Sequence, residues 1–384
     1  MTSEEQPEFA PDWSVHPGAI LRRLLERRGI RQSELAERTG LTPKHINQIV
    51  TESIGISGDV AILLERVLNI DAQFWVRADA DYQTYVSKQK AQDQVSEYAP
   101  WAARFDSATL ERYGIVERRD TTATRAEKIL KFFGVASPDA FEQTWLRPRV
   151  SFRRSQSFTV AGPNTALWLR LMERSAEASE VSPLRLSVLR KVAREVPKMT
   201  SLPSIEDGFA AAKDALAEAG VVLTFVRQVP GTRVGGATWW LAAERPVIGL
   251  TERNRKPDII WFNLLHEIGH VLLHPKRTTF LDLEADKLSA DQTAEQEANR
   301  FAEQTLLSDA ERAEIARATT REQLLRISAR LGLGASIVAG QHGRVTNKWY
   351  IGGKLRGTIT DDDIDALERI SNSTSTRQGT ARCA

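Results

Sequence analysis

Residues Ile259–His274 form a long apolar run that contains His266-Glu267-Ile268-Gly269-His270. On an α-helix, side chains four apart share a face, so both imidazoles point the same way and Glu267 projects beside them. Two histidines and a carboxylate at this spacing are suited to one Zn²⁺ with an open position for water. Asp258 is the expected cap of the helix and Pro275 lies just past its end. The alternative is a helix with hydrogen-bonded or surface histidines, although the pattern is rare by chance.

A catalytic zinc takes three protein ligands. The expected third is Glu295, on a second helix running from about Thr293 through Leu307. Ala298 and Asn299 fall on the same face as Glu295, so a small side chain allows close helix packing and Asn299 can hydrogen-bond a ligand histidine. Glu297 is the rival carboxylate, although residues two apart on a helix point away from each other. His274 lies about 12 Å along the axis from His266, too far for one ion to use all three histidines. It reads instead as a donor or cation near the helix C-terminus. With zinc lowering the pKa of its water to about 7 and Glu267 as the base, hydrolysis of a peptide carbonyl is the expected chemistry.

Upstream, residues 205–219 read as a helix ending at Gly220. Val221–Val226, Val234–Leu241 and Val247–Thr251 follow as strand candidates separated by turn formers, which implies a small three-stranded sheet. Val234–Leu241, with Gly235, Gly236 and Ala237 ahead of Trp239 and Trp240, offers an edge to which a substrate segment can add. The alternative is an ordinary strand whose tryptophans fill the core.

The N-terminal pattern differs. Short amphipathic segments broken by Gly29, Gly40, Gly55 and Gly58 indicate a compact helical module. Within it, Gln32–Thr39, a turn at Gly40 and Leu41, and Pro43–Val50 have helix-turn-helix proportions, with Thr42 as cap and Leu35, Ile46 and Ile49 as core. Lys44, His45, Asn47 and Gln48 are then candidates to face a major groove, with Gln32 and Thr42 at its margin. Arg22, Arg23, Arg27, Arg28 and Arg31 are candidates for phosphate contacts. Use of the module for protein contact is the alternative function.

At 384 residues the chain exceeds one compact domain. Its one cysteine, Cys383, excludes a disulfide framework or thiolate cluster, so any metal must be held by His, Asp or Glu. The formal net charge is +2, and no long block is basic enough to mark a nucleic-acid binder by charge alone. No apolar run reaches membrane-spanning length and the acidic start lacks a signal-peptide pattern, so a cytoplasmic protein is expected. Four segments follow: a helix-turn-helix domain (1–92), a helical connecting region (93–200), a zinc domain (201–345) and an extension (346–384). The weakly patterned stretch 148–163 reads as a loop and the Ser/Thr-rich end, 371–384, as disordered.

Two resemblances rest on these residues. His16–Trp75, especially Gln32–Ile49 and Leu68-Asn-Ile-Asp-Ala-Gln-Phe-Trp75, resembles the Cro/C1-type domain of HigA-like antitoxins. Gly231–Trp239, Asn263–His270 and Glu295–Ala302 are similar to the ImmA/IrrE metallopeptidase family. The resemblance implies a mainly α protein with a small β-sheet (α+β), in which a five-helix DNA-binding domain is followed by a helical middle and a zincin-like domain. It further implies His266, His270 and Glu295 as ligands and Glu267 as catalytic base. The implied protein is a regulator that binds double-stranded operator DNA, as a homodimer, and cleaves a repressor or partner protein. A non-catalytic antitoxin or repressor, with a toxin partner and a structural or sensory zinc domain, is the alternative. The polar reader usual at the start of the recognition helix is replaced by Pro43, and Thr51–Gly55 lacks the usual turn pattern.

Overall fold

The computed structural model describes residues 14–146, 162–242, 244–274, 280–283 and 291–373. It divides into two compact units, one of residues 1–100 with 120–127, the other of 101–119 with 128–384.

The first unit contains α1 (Pro17–Arg28), α2 (Gln32–Thr39), α3 (Pro43–Val50), α4 (Gly58–Leu68) and α5 (Ala72–Ser96). Local signals set their ends. Gly40 closes α2 with φ 73°, a left-handed conformation that favours glycine. Thr42 then caps α3 by accepting from the His45 N–H at 3.2 Å, with Pro43 at the first helical position. Leu21, Leu35, Ile46, Ile49, Leu64, Leu68 and Trp75 are fully buried and form this unit's core. The expected core residues Leu35, Ile46 and Ile49 are among them.

Short helices α6 (Ala99–Ala102), α7 (Ser107–Arg112), α8 (Thr122–Phe133) and α9 (Pro138–Phe141) come next. The second unit continues through α10 (Pro163–Glu177), α11 (Leu186–Met199) and α12 (Ile205–Ala219) into β1 (Val222–Phe225), β2 (Val234–Ala242) and β3 (Arg245–Leu250). Then come α13 (Pro257–Leu273), β4 (Phe280–Leu283) and α14 (Asp291–Leu306). Five helices complete it: α15 (Asp309–Arg317), α16 (Arg321–Leu331), α17 (Ala335–Thr346), α18 (Trp349–Gly352) and α19 (Asp361–Asn372). The fold is mainly α with a small mixed sheet.

The sheet has the order β1-β3-β2-β4. β1 and β3 are parallel, and β2 runs antiparallel to both of its neighbours. Three of these strands follow the sequence pattern; the fourth does not. β4 is only four residues long, too short for alternation to register. It corrects one expectation: β2 lies between β3 and β4, with Val234 opposite Leu283 and Thr238 opposite Phe280, and is not an exposed edge. Trp239 is buried, as in the alternative interpretation of that strand.

A large apolar cluster lies in the second unit. Leu189, Val192 and Val196 of α11 share it with Phe209 and Leu216 of α12, Leu264 and Ile268 of α13, and Ile364 and Leu367 of α19. Residues on both sides of positions 200 and 345, taken as boundaries, contribute to this one cluster. The reason is tertiary: an amphipathic helix declares that it buries a face, not which partner covers it. Ser371, at the start of the Ser/Thr-rich end, is fully buried and its Oγ accepts from the Phe225 N–H at 2.8 Å. It thereby satisfies a donor of strand β1 at the sheet border. Residues 374–384, and 148–161 of the expected loop, lie outside the described residues.

Asp258 also departs from expectation. It sits inside the first turn of α13, after Lys256 at the N-cap, and Arg356 donates to it at 2.8 and 3.1 Å. Among the described residues no helix is long and apolar enough to cross a membrane.

Candidate metal centre and helix-turn-helix surface

Helix α13 carries His266, Glu267 and His270 into the interior, where all three are buried. Helix α14 packs against it at Gly269. A Cβ there would come 3.2 Å from the Ala298 Cα and 3.1 Å from the Phe301 ring, so two small residues set a close helix approach. This brings Glu295 to the histidine pair. Its carboxylate oxygens lie 3.2 Å from His266 Nε2 and 3.3 Å from His270 Nε2, and the two Nε2 atoms are 3.0 Å apart. Ligand edges in a tetrahedral zinc site with bonds of about 2.0–2.2 Å are about 3.3–3.6 Å, so the donor set is near the size such an ion requires.

Orientation matters as much as distance. Asn299 Oδ1 lies 3.1 Å from His266 Nδ1, so a proton on Nδ1 leaves the Nε2 lone pair facing the centre. Burial pushes the His270 imidazole down to about 4, which keeps it neutral and a competent donor to a metal. Burial alone would raise the Glu295 carboxyl, but the adjacent His266 and His270 imidazoles outweigh it and hold the group at about 2. Two imidazoles and one carboxylate give a compact donor set whose chemistry fits a divalent cation.

Glu267 faces strand β2. Thr238 Oγ1 donates to its Oε2 at 2.6 Å and also reaches its backbone carbonyl at 3.2 Å. A Cβ at Gly236 would stand 2.6 Å from Oε1, so only the bare glycine backbone leaves room for the carboxylate. Sequence spacing does not reveal Thr238 and Gly236 as partners of Glu267, because the pairing of β2 with α13 is nonlocal. The Gly235-Gly236 doublet is the one local sign of a close approach.

The rival carboxylate, Glu297, is turned to His274, with 3.7 Å between Oε2 and Nδ1. The geometric cluster of metal-ligand type among the described residues is His266, His270 and Glu295.

On the first unit, Gln32, Thr42, Lys44 and Asn47 are exposed, and Gln48 is half-buried. His45 differs from its neighbours. It is half-buried, and its Nε2 is enclosed without a hydrogen-bond partner among the described residues. Two of the arginines read as phosphate contacts are occupied within the fold: Arg28 Nη1 donates to the Leu68 carbonyl at 2.7 Å, and Arg22 lies 3.4 Å from Glu52. Arg23, Arg27 and Arg31 are exposed.

Comparison with known proteins accords with this division. Residues 21–75 match the helix-turn-helix family, and residues 217–340 match the M78 peptidase family, described as IrrE N-terminal-like domain. The chain is 36% identical over 80 residues to Virulence-associated protein I of Dichelobacter nodosus, covering 21% of this chain and 74% of that protein. It belongs to the helix-turn-helix family and carries an M78 peptidase-family domain. The chain is also similar to two solved Pseudomonas aeruginosa structures. One is a protein in complex with its operator DNA, at 36% identity and TM-score 0.19, covering 20% of this chain and 82% of the other. The second is the antitoxin HigA with the higBA promoter, at 33% identity and TM-score 0.21, covering 22% and 91%.

Proposed function

We propose that this protein is a DNA-binding transcriptional regulator whose second unit is a zinc-dependent endopeptidase acting on a repressor or other protein partner. The convergence of His266, His270 and Glu295, with Glu267 buried alongside, carries the proposal. His266, His270 and Glu295 would hold the ion, and Asn299 would orient His266. When bound, zinc supplies a Lewis acid for the scissile carbonyl and lowers the pKa of a water.

Glu267 does the proton work. Thr238 fixes Oε2, and Oε1, beside Gly236, would take the proton of the attacking water. As the new C–O bond forms and the C–N bond breaks, the same carboxyl returns that proton to the departing amine. A purely structural site has no need of such a base, which favours catalysis over a sensory role.

On the first unit, Lys44, Asn47 and Gln48 would meet the major groove, with Gln32 and Thr42 beside the backbone. His45 is assigned a packing role because its Nε2 is enclosed. The helix-turn-helix assignment supports the proposed binding to double-stranded operator DNA, as a homodimer.

The test pairs metal analysis with proteolysis. Wild-type protein should contain one zinc per chain and cleave a protein encoded beside it. Glu267→Gln should keep the zinc and lose cleavage. Full cleavage by that variant, or a wild-type protein without zinc, overturns the enzyme assignment.

A further inference from the structure

We propose that His274 is the positioning residue for Glu295: its imidazole pins the first turn of α14 to the end of α13 and so sets the carboxylate against His266 and His270. This rests on the metal-centre proposal above. At His274 the chain leaves α13. Its N–H still donates to the His270 carbonyl at 3.2 Å, while its own backbone is extended, with φ −106° and ψ 155°. The side chain nevertheless stays inside, with 7% of its surface exposed.

Its Nε2 lies 3.0 Å from the carbonyl oxygen of Ala294, the residue directly before Glu295. A carbonyl oxygen has two acceptor positions, so Ala294 can take this bond and still serve its own helix. Because a carbonyl can only accept, Nε2–H is the donor, and Nε2 offers no lone pair to a metal. The other side of the ring faces Glu297 Oε2 at 3.7 Å, and the ring centroid is 5.1 Å from that of His270.

The first turn of a helix is where such a pin has the most effect. The described part of α14 starts at Asp291, so Ala294 and Glu295 lie near its N-terminal end, where helices fray. Downstream, Gly269 against Ala298 and Phe301 fixes how close the two helices come. These contacts and the Asn299–His266 bond all lie on the C-terminal side of Glu295. The polar bond from His274 to Ala294 adds an attachment on its N-terminal side.

The experiment uses the full chain. Zinc affinity is measured by competition with a chromophoric chelator, and the visible absorption of the cobalt-substituted protein reports ligand geometry. His274→Leu, which fills the space without a donor, should weaken zinc binding by about 10- to 100-fold, as expected for loss of an outer-shell partner, and alter the cobalt spectrum. His274→Gln, whose amide can donate to the Ala294 carbonyl, should recover most of the affinity and the spectrum. If the leucine variant fails to fold by circular dichroism, His274→Asn takes its place, since its shorter amide falls short of the carbonyl. Wild-type affinity and spectrum in the leucine variant, or a glutamine variant as weak as leucine, overturn the positioning role. A wild-type chain that takes up no zinc instead overturns the metal centre itself.

Discussion

Nδ1 of His266 and Oδ1 of Asn299 stand 3.1 Å apart across the interface of α13 and α14, one turn along α14 from Glu295. The same helix therefore supplies both a carboxylate to the centre and an acceptor that holds a histidine in the tautomer the centre needs. Asn299→Ala should leave secondary structure unchanged and weaken zinc binding by about 10- to 100-fold. Asn299→Asp keeps the acceptor and should bind zinc at least as well as wild type. Titration against a chelator checks both, and equal affinity in the alanine variant removes Asn299 from the site.

Gly236 makes a separate prediction about Glu267. The methyl group of Gly236→Ala would come 2.6 Å from Glu267 Oε1, a movable side-chain end, so the carboxylate swings aside while the backbone holds. The expected cost in stability is about 1 kcal/mol, at the low end for overpacking. Zinc content should be that of wild type, and cleavage should fall by at least about 100-fold, since general acid–base groups contribute on that scale. Metal analysis beside a kinetic assay separates the two effects; normal cleavage would show that Oε1 is not the working oxygen.

How much of this was legible in the sequence depends on range. His266, Glu267 and His270 are one turn apart, and Glu295 and Asn299 are one turn apart, so helical periodicity alone grouped each set. The helix-turn-helix ends could be read at Gly40, Thr42 and Pro43 because caps and left-handed glycines act locally. Thr238 could not be matched to Glu267, nor Ser371 to the Phe225 N–H, because those bonds join segments 29 and 146 residues apart. Asp258 has the chemistry of a cap, yet it lies within the helix and is taken by Arg356, a partner 98 residues away. His45 has the chemistry of a groove reader, yet it is half-buried with Nε2 enclosed, a difference from its neighbours that spacing does not show.

Acid should destabilise the metal-free protein over a defined range. The His270 pKa is about 4 in the folded chain against an ordinary value of 6.5, so the unfolded chain takes up the proton first as pH falls. Stability is therefore undiminished above about pH 6.5 and declines toward pH 4, by about 3 kcal/mol from this group. The Glu295 carboxyl, held at about 2 against 4.5, adds a further loss as pH falls from about 4.5 toward 2. Urea unfolding of chelator-treated protein at pH 7.0, 5.5 and 4.5 tests this. Flat stability between pH 7 and 4.5 would mean that His270 is as easily protonated in the folded chain as in the unfolded one.

Lys44 and Asn47 are exposed on α3, so their replacement should leave the fold intact and act on DNA alone. Lys44→Ala removes a charge and should lower the dependence of affinity on salt by about one ion, with a similar loss on specific and unrelated duplexes. Asn47→Ala removes a donor–acceptor pair suited to adenine and should cost about 1–3 kcal/mol on the preferred duplex and little on others. A preferred duplex is obtained by selection from random sequences with the wild-type chain, and affinities are measured at several salt concentrations. The contrast decides between the two uses of the module. If both variants bind DNA like wild type at every salt concentration, α3 does not enter the groove, and the exposed face of the helix-turn-helix is left to protein contact.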